Sequence, residues 1–105
     1  MDEAKRKRLE KAGWKVGDAG EFLELSPDEV AFIEMKLALA THFRAVRQQN
    51  SWTQQNVARR LGSSQSRVAK MEAGDPSVSV DLLIRSLLRL GASPDELGRV
   101  IAQAA

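Results

Sequence analysis

The sequence predicts a small all-α protein, and two observations carry this prediction. Its apolar residues recur three and four positions apart rather than in alternation, which is the spacing of helices that bury one face. The chain of 105 residues has the length of one ordinary domain, and its hydrophobic share of 43% is normal for a globular protein. No apolar run approaches the ~20 residues that a membrane-spanning helix needs, so we expect no membrane partner.

The composition argues against several classes of function. There are no cysteines, which excludes disulfides and thiolate metal sites. His42 is the only histidine and has no acidic pair at ligand spacing, so we expect it on the partly exposed side of a helix rather than at a metal or catalytic site. The sequence has no glycine-rich phosphate loop and no nucleophile motif. We therefore expect no enzymatic activity, no cofactor and no small-molecule substrate. The lack of an apolar signal-peptide core favours the cytoplasm.

The first 25 residues are predicted to be an N-terminal extension to a domain that spans residues 26–105. Residues 2–12 are highly charged, and they can form a solvated helix or can fray. The basic run at residues 5–8 is either a solvated stretch or an arm that contacts DNA, although neighbouring acidic residues dilute its charge. The extension ends in a short apolar patch at Phe22, Leu23 and Leu25.

A long helix is predicted to begin at Ser26. Ser26 can cap this helix, Pro27 suits its first position and Glu29 can complete a capping box. Asn50 and Ser51 mark its expected end. The predicted core-facing stripe of the helix consists of Phe32, Met35, Leu39, Phe43 and Val46.

Two short helices and a tight turn are predicted next. Thr53 can cap the first helix, and Gly62 can end it because glycine tolerates the positive φ that such a turn needs. Ser64 can cap the second helix and Gly74 can end it. The apolar wedge between these helices is predicted to consist of Val57, Ala58, Leu61, Val68 and Met71.

Two further helices complete the predicted fold. Residues 80–90 form a leucine-rich segment in which Leu83, Leu87 and Leu90 share one face, and Gly91 ends it. The sequence Ser-Pro-Asp-Glu at residues 93–96 repeats the start signal of the long helix and opens a last helix.

The pair of short helices has the pattern of a helix-turn-helix, and its second helix carries polar residues where such a unit presents side chains to DNA bases. Glutamine can pair bidentately with adenine, arginine can pair with guanine, and serine can donate or accept at either base. We therefore expect double-stranded DNA as a partner. The predicted base contacts are Gln65, Ser66, Arg67 and Lys70.

Other residues of this segment suit the phosphate backbone. Gln54 lies at the N-terminus of its helix, where backbone N–H groups favour anions. Paired arginines are also typical of a solvated face, so we expect one of Arg59 and Arg60, not both, to touch a phosphate. The predicted backbone contacts are Thr53, Gln54, Ser64, Arg59 and Arg60.

The charge distribution agrees with a nucleic-acid partner for the middle of the chain. Residues 36–75 hold seven basic and two acidic residues, a net charge of +5. Residues 1–35 hold six basic and nine acidic residues, a net charge of −3. Positive charge is therefore concentrated around the predicted helix-turn-helix, as binding to phosphates requires.

The middle of the chain resembles the XRE family, the regulators of the Cro and phage-repressor type. The resemblance covers residues 36–90 and rests on Thr-Gln at 53–54, Leu-Gly at 61–62, Ser-Gln-Ser at 64–66 and Glu-x-Gly at 72–74. It implies a lambda-repressor-like, five-helix DNA-binding domain. It also implies that Gln54 contacts the DNA backbone, that residues 65–67 face the major groove and that Glu72 is structural. Two departures are Asn56, where an acidic residue is usual, and Trp52, where a smaller one is common.

The residues before this unit are similar to those of HigA-type antitoxins. The similarity rests on Trp-Lys-Val-Gly at 14–17, on the apolar patch at 22–26 and on the long helix that leads into an XRE domain. It implies that the protein binds a RelE-like ribonuclease toxin and represses its own operon; the alternative is a stand-alone regulator without a toxin. Trp14 and Phe22 can instead cover a small satellite core against the long helix. The implied toxin contacts are Trp14, Val16, Phe22 and Leu23.

Surplus apolar residues predict a homodimer. Ile84 and Leu88 fall off the main stripe of the leucine-rich helix, and the last helix adds Val100 and Ile101. Apolar residues beyond those that the core needs indicate a partner surface, here a two-fold interface between copies of the chain. A dimer also suits a helix-turn-helix, because two recognition helices must reach half-sites ~34 Å apart.

Overall fold

The computed structural model describes residues 25–104, which fold into five α-helices with no strand among them. The all-α class and the lambda-repressor-like arrangement predicted from the sequence are confirmed. The boundary proposed between residues 25 and 26 stays a prediction, and the predicted toxin contacts Trp14, Val16, Phe22 and Leu23 lie outside the described residues. The helices are α1 (Pro27–Gln49), α2 (Gln54–Leu61), α3 (Gln65–Ala73), α4 (Val80–Arg89) and α5 (Pro94–Ala102).

Each helix begins at a serine or threonine that caps it. The capping hydroxyl accepts a hydrogen bond from the backbone N–H three residues later, which satisfies one of the free donors at a helix N-terminus. Four of these caps were predicted, and the fifth, Ser79, was not. At α1, Ser26 accepts from the Glu29 backbone at 3.3 Å, and its hydroxyl also lowers the pKa of Asp28. The five caps are Ser26, Thr53, Ser64, Ser79 and Ser93.

The first three helices end with the same pair of backbone hydrogen bonds around a left-handed residue. At the end of α1, Ser51 has φ 57°, its N–H donates to the Gln48 carbonyl, and the Trp52 N–H donates to the Arg47 carbonyl. This is the Schellman arrangement. Gly62 and Gly74, with φ 64° and 65°, occupy the left-handed position after α2 and α3, as the sequence predicts.

The core begins at the middle of α1 and runs through all five helices. It contains Leu39, Phe43 and Val46 of the predicted stripe, but Phe32 is 52% exposed, so its predicted place in the core is wrong. In that turn Ile33 is the buried apolar residue. Periodicity indicates which face of a helix is apolar, whereas the reach of the core along a helix of about 35 Å depends on where the other helices pack.

The long helix α1 is the element on which the others assemble, since it contacts α3, α4 and α5. His42 is partly exposed, as predicted, and its Nε2 lies 2.6 Å from Oε2 of Glu96 in α5. This link between α1 and α5 was not predicted. Closer to the N-terminus of α1, the buried Lys36 donates to the Pro76 carbonyl at 3.4 Å, which ties α1 to the loop after α3.

Among the helices described, none is both long enough and apolar enough to cross a membrane. Within residues 25–104, no three histidine, cysteine, aspartate or glutamate side chains are grouped in a way that could hold a metal ion.

Candidate nucleic-acid interface

Helices α2 and α3 form a helix-turn-helix that spans the predicted residues 53–74, from the Thr53 cap to Gly74. The two helices pack through a wedge of buried side chains that includes Val57, Ala58 and Val68. Gly62 makes the turn, and a Cβ at this position would meet nothing within 4 Å. The requirement for glycine here is therefore conformational rather than steric.

The two sides of α3 differ in the way that DNA recognition requires. Val68 and Met71 are buried against the core, while the first two turns present polar side chains to solvent. The Ser64 hydroxyl accepts from the Arg67 backbone N–H at 3.1 Å, which stabilises the first turn. The exposed polar side chains are the four predicted base contacts, Gln65, Ser66, Arg67 and Lys70.

A chain of side-chain hydrogen bonds connects α1 to the exposed start of α3. Arg47 donates from Nε and Nη2 to the two carboxylate oxygens of Glu72, at 2.5 and 3.0 Å. Gln54 donates from Nε2 to Oε1 of Glu72 at 3.3 Å. Gln65 donates from Nε2 to Oε1 of Gln54 at 2.6 Å. A predicted base contact and a predicted backbone contact are thus hydrogen-bonded to each other.

The Arg47–Glu72 pair is the buried end of this chain. The two side chains are 17% and 6% exposed, and Arg47 also donates from Nη1 to the Trp52 carbonyl at 3.1 Å. The hydrogen bonds to Glu72 raise the pKa of Arg47, so the guanidinium stays charged. Arg47 was not among the predicted site residues. Its partner is 25 residues away, and no local pattern in the sequence indicates such a pairing.

The N-terminus of α2 lies beside this chain of hydrogen bonds. Thr53 and Asn56 form a complete capping box, with bonds of 3.0 and 3.1 Å between each side chain and the other residue's backbone N–H. Asn56 therefore caps the helix where the family usually has an acidic residue. A shallow, mostly polar depression opens here, lined by Arg47, Trp52, Thr53, Gln54, Gln55 and Gln65.

The two arginines near the end of α2 differ in their surroundings. Both are exposed, but the Arg60 guanidinium carbon lies 4.1 Å from the centre of the Trp52 ring, a cation–π contact. Trp52, the other departure from the family pattern, therefore contacts Arg60 of the last turn of α2 and directly precedes Thr53, the cap of that helix.

The loop after α3 is ordered by Asp75. Its Oδ1 accepts from the Ser77 hydroxyl at 2.6 Å and from the Ser77 backbone N–H at 2.9 Å, and these bonds lower the pKa of Asp75. Burial lowers the pKa of Lys36, whose ammonium group contacts this loop, and the charge of Asp75 opposes that shift. The loop that leads from α3 to α4 is therefore attached to α1.

The predicted dimer residues lie on α4 and α5 with different exposures. Leu88 is 43% exposed, whereas Ile84, Val100 and Ile101 are partly buried and pack against the core. Arg85, one turn before Arg89, pairs with Asp81 at 3.2 Å on the surface of α4.

Comparison with known proteins identifies the family. A family model described as a helix-turn-helix domain matches residues 38–100, which is more than half of the chain and includes all of α2, α3 and α4. No curated protein and no solved structure matches the chain significantly. The matched segment contains the capped helix pair, its glycine turn and the polar face of α3. The chain therefore belongs to the XRE-like family of helix-turn-helix domains, which are DNA-binding transcription regulators.

Proposed function

We propose that this protein is a transcriptional repressor that recognises a specific operator in double-stranded DNA through α3. The observation that carries the proposal is the exposed polar face of α3. The side chain of its first residue, Gln65, is oriented by a hydrogen bond to Gln54. A side chain that is oriented before binding loses less conformational entropy when it contacts a base. Such an orientation favours sequence readout over attraction to phosphates alone.

The roles of the α3 side chains follow from their chemistry. Gln65 pairs with adenine, Arg67 pairs with guanine, and Ser66 donates to or accepts from either base in the major groove. Lys70 lies one turn further along α3 and reaches the edge of the same groove. These are the base contacts of the proposal.

The backbone contacts surround the start of α2 and the turn. Gln54 and Thr53 lie at the N-terminus of α2, where the helix dipole and the first N–H groups attract a phosphate. Ser64 lies at the equivalent end of α3, and Arg59 and Arg60 add charge from the last turn of α2. Because Arg60 is stacked on Trp52 near the α2 N-terminus, it is the better placed of the two arginines for that phosphate.

The repressor acts as a homodimer in this proposal. The exposed Leu88 on α4, together with Ile84, Val100 and Ile101, supplies an apolar surface that a second copy can cover. A Leu88→Glu substitution would then place a charge in the interface and shift the protein to monomer. Sedimentation equilibrium across a range of concentrations measures this shift, with Arg89→Glu as a control for added acidic charge on the same helix. Dimeric masses for both proteins would place the interface elsewhere, and a monomeric wild type would contradict the homodimer.

The central test is fluorescence anisotropy with labelled DNA from immediately upstream of the gene. The unrelated duplex of equal length is the control, and each titration is repeated over a salt series. Tight binding to the upstream DNA alone, lost in a Gln65→Ala/Arg67→Ala double variant, is the expected result. Equal, salt-sensitive binding to both duplexes that the double variant leaves unchanged would contradict specific readout.

A role as an antitoxin is the second candidate, and the position of Phe32 favours it. This large apolar side chain is 52% exposed on α1, and it belongs to the segment of residues 1–35, whose net charge is −3. An exposed aromatic flanked by negative charge suits a basic protein partner, such as a RelE-like ribonuclease. The proposed toxin contacts are the residues of the N-terminal extension, Trp14, Val16, Phe22 and Leu23.

Co-expression with a small basic reading frame next to the gene tests this role. Wild type should neutralise the toxicity of that frame, a Trp14→Ala/Phe22→Ala variant should fail, and the Gln65→Ala/Arg67→Ala variant should still neutralise. If wild type does not protect the cells, a stand-alone regulator is the remaining function.

A further inference from the structure

We propose that Glu72 is a specificity-determining residue that acts at a distance: through Gln54, it sets the orientation of the Gln65 amide so that the site accepts adenine and disfavours guanine. Glu72 does not itself touch DNA, so its role is that of a positioning residue. The inference rests on the base contact proposed for Gln65. It concerns which base that contact selects and why.

The first step is the orientation of Gln54. Glu72 is 6% exposed, and both of its side-chain oxygens accept hydrogen bonds from the Arg47 guanidinium, which only donates. Oε1, the oxygen that faces Gln54, is therefore an acceptor. The Gln54 atom that faces Glu72 Oε1 at 3.3 Å must therefore be the donor Nε2. Reversing the Gln54 amide would bring its carbonyl oxygen against a buried negative charge, without a proton between them.

The second step is the orientation of the Gln65 amide, which follows from that of Gln54. With Nε2 of Gln54 directed to Glu72, Oε1 of Gln54 is directed to Gln65, and this oxygen also only accepts. Gln65 must approach it with Nε2, which it does at 2.6 Å. A primary amide has two N–H bonds, so Gln65 keeps one N–H and its carbonyl oxygen for another partner.

The third step compares this remaining donor and acceptor with the bases. In the major groove, adenine presents the N7 acceptor and the N6 donor, which together match one N–H and one carbonyl oxygen. Guanine presents two acceptors, N7 and O6. Gln65 can satisfy both guanine acceptors only by turning its amide, which would set its oxygen against Oε1 of Gln54. The hydrogen-bond chain thus penalises guanine without a direct contact between Glu72 and the base.

The experiment begins with duplexes that wild type selects from a randomised library, so the operator need not be known. The base pair read by Gln65 is the one whose preference disappears in Gln65→Ala. Kd is then measured for duplexes with A·T or G·C at that position. A bidentate contact predicts that wild type favours adenine by about tenfold or more.

The deciding variant is Gln54→Ala, which removes the hydrogen bonds that link Glu72 to Gln65 but leaves the Arg47–Glu72 pair in place. We expect weaker binding to every duplex, because a phosphate contact is lost, and in addition a fall of the adenine-to-guanine ratio to within about threefold. Glu72→Gln should lower the ratio in the same way, because a neutral amide can donate as well as accept. Circular dichroism establishes that each variant is folded. Arg60→Ala is the matched control and should weaken both duplexes equally.

An adenine-to-guanine ratio that Gln54→Ala leaves at the wild-type value would overturn the inference while leaving the Gln65 contact intact. If no position loses its base preference in Gln65→Ala, the proposed base contact is refuted, and the role of Glu72 with it. The Gln54→Ala result stands even if Glu72→Gln does not fold.

Discussion

Arg47 and Glu72 lie 25 positions apart, and their two-pronged ion pair joins the long helix α1 to the last turn of α3. The carboxylate of Glu72 also accepts a hydrogen bond from the Gln54 amide, so one buried acidic side chain connects α1 to both helices of the helix-turn-helix. Stability and the proposed DNA readout therefore depend on the same group.

Replacing Arg47 with methionine should destabilise the protein strongly. The substitution leaves Glu72 in an environment where it is 6% exposed and has lost its cation, which typically costs about 3 kcal/mol. Urea denaturation followed by circular dichroism at 222 nm measures the loss of unfolding free energy. The matched control is Arg85→Met, because Arg85 and Asp81 form an ion pair whose side chains are 78% and 71% exposed. That change should cost under about 0.5 kcal/mol, and an equal cost at both sites would contradict the structural role of Arg47.

Replacing Ser51 with glycine should stabilise the protein. Ser51 has φ 57°, a left-handed conformation that costs a residue with a Cβ about 1 kcal/mol relative to glycine. The Tm should rise by about 4 °C or more in a thermal melt. The reciprocal control is Gly62→Ser, since Gly62 has φ 64° and open space around its Cα. It should lower Tm by a similar amount, and a Ser51→Gly protein that melts at or below the wild-type temperature would refute the prediction.

Substitutions at Arg67 and Arg60 should weaken DNA binding in different ways. Arg67 is exposed on the base-reading face of α3, so Arg67→Ala should reduce affinity for the selected operator more than for an unrelated duplex. Arg60→Ala should reduce both affinities alike. Because Arg60 is proposed to neutralise a phosphate, the slope of log Kd against log salt concentration also decreases by about 0.9. Anisotropy titrations at four salt concentrations separate these results, and an equal loss on both duplexes for Arg67→Ala would remove it from the base contacts.

Acid should weaken the loop that follows α3. The hydrogen bonds from Ser77 lower the pKa of Asp75 in the folded state, so the ionised carboxylate stabilises folding above its ordinary pKa of about 4. That contribution is lost as the pH falls through the lowered folded-state value. Asp75→Asn has no charge to titrate and should lose less stability between pH 5 and pH 2 in parallel urea melts. Identical pH profiles for the two proteins would show that Asp75 makes no such contribution.

The parts of the fold that depend on neighbouring residues were predictable. Ser26, Thr53, Ser64 and Ser93 cap helices because a hydroxyl reaches a backbone N–H three residues away, and this requires no tertiary contact. Gly62 likewise permits a left-handed turn wherever the chain places it. These signals located the helix-turn-helix to the residue.

The predictions that depended on contacts between residues far apart in the sequence were less accurate. Phe32 has the periodicity of a core residue, yet the core begins two turns later at Leu39. His42 was expected to be partly exposed, but its partner Glu96 was not foreseen, since 54 residues separate them.

The sequence by itself determined the five helices, four of their five caps, the turn and the identity of the side chains on the outer face of α3, because each of these depends on interactions over three or four residues. Only the tertiary structure decided which polar groups meet: it placed Arg47 against Glu72, Glu72 against Gln54, and Gln54 against Gln65. A hydrogen bond requires two atoms within about 3 Å, and for residues far apart in the chain that distance is set by how whole helices pack.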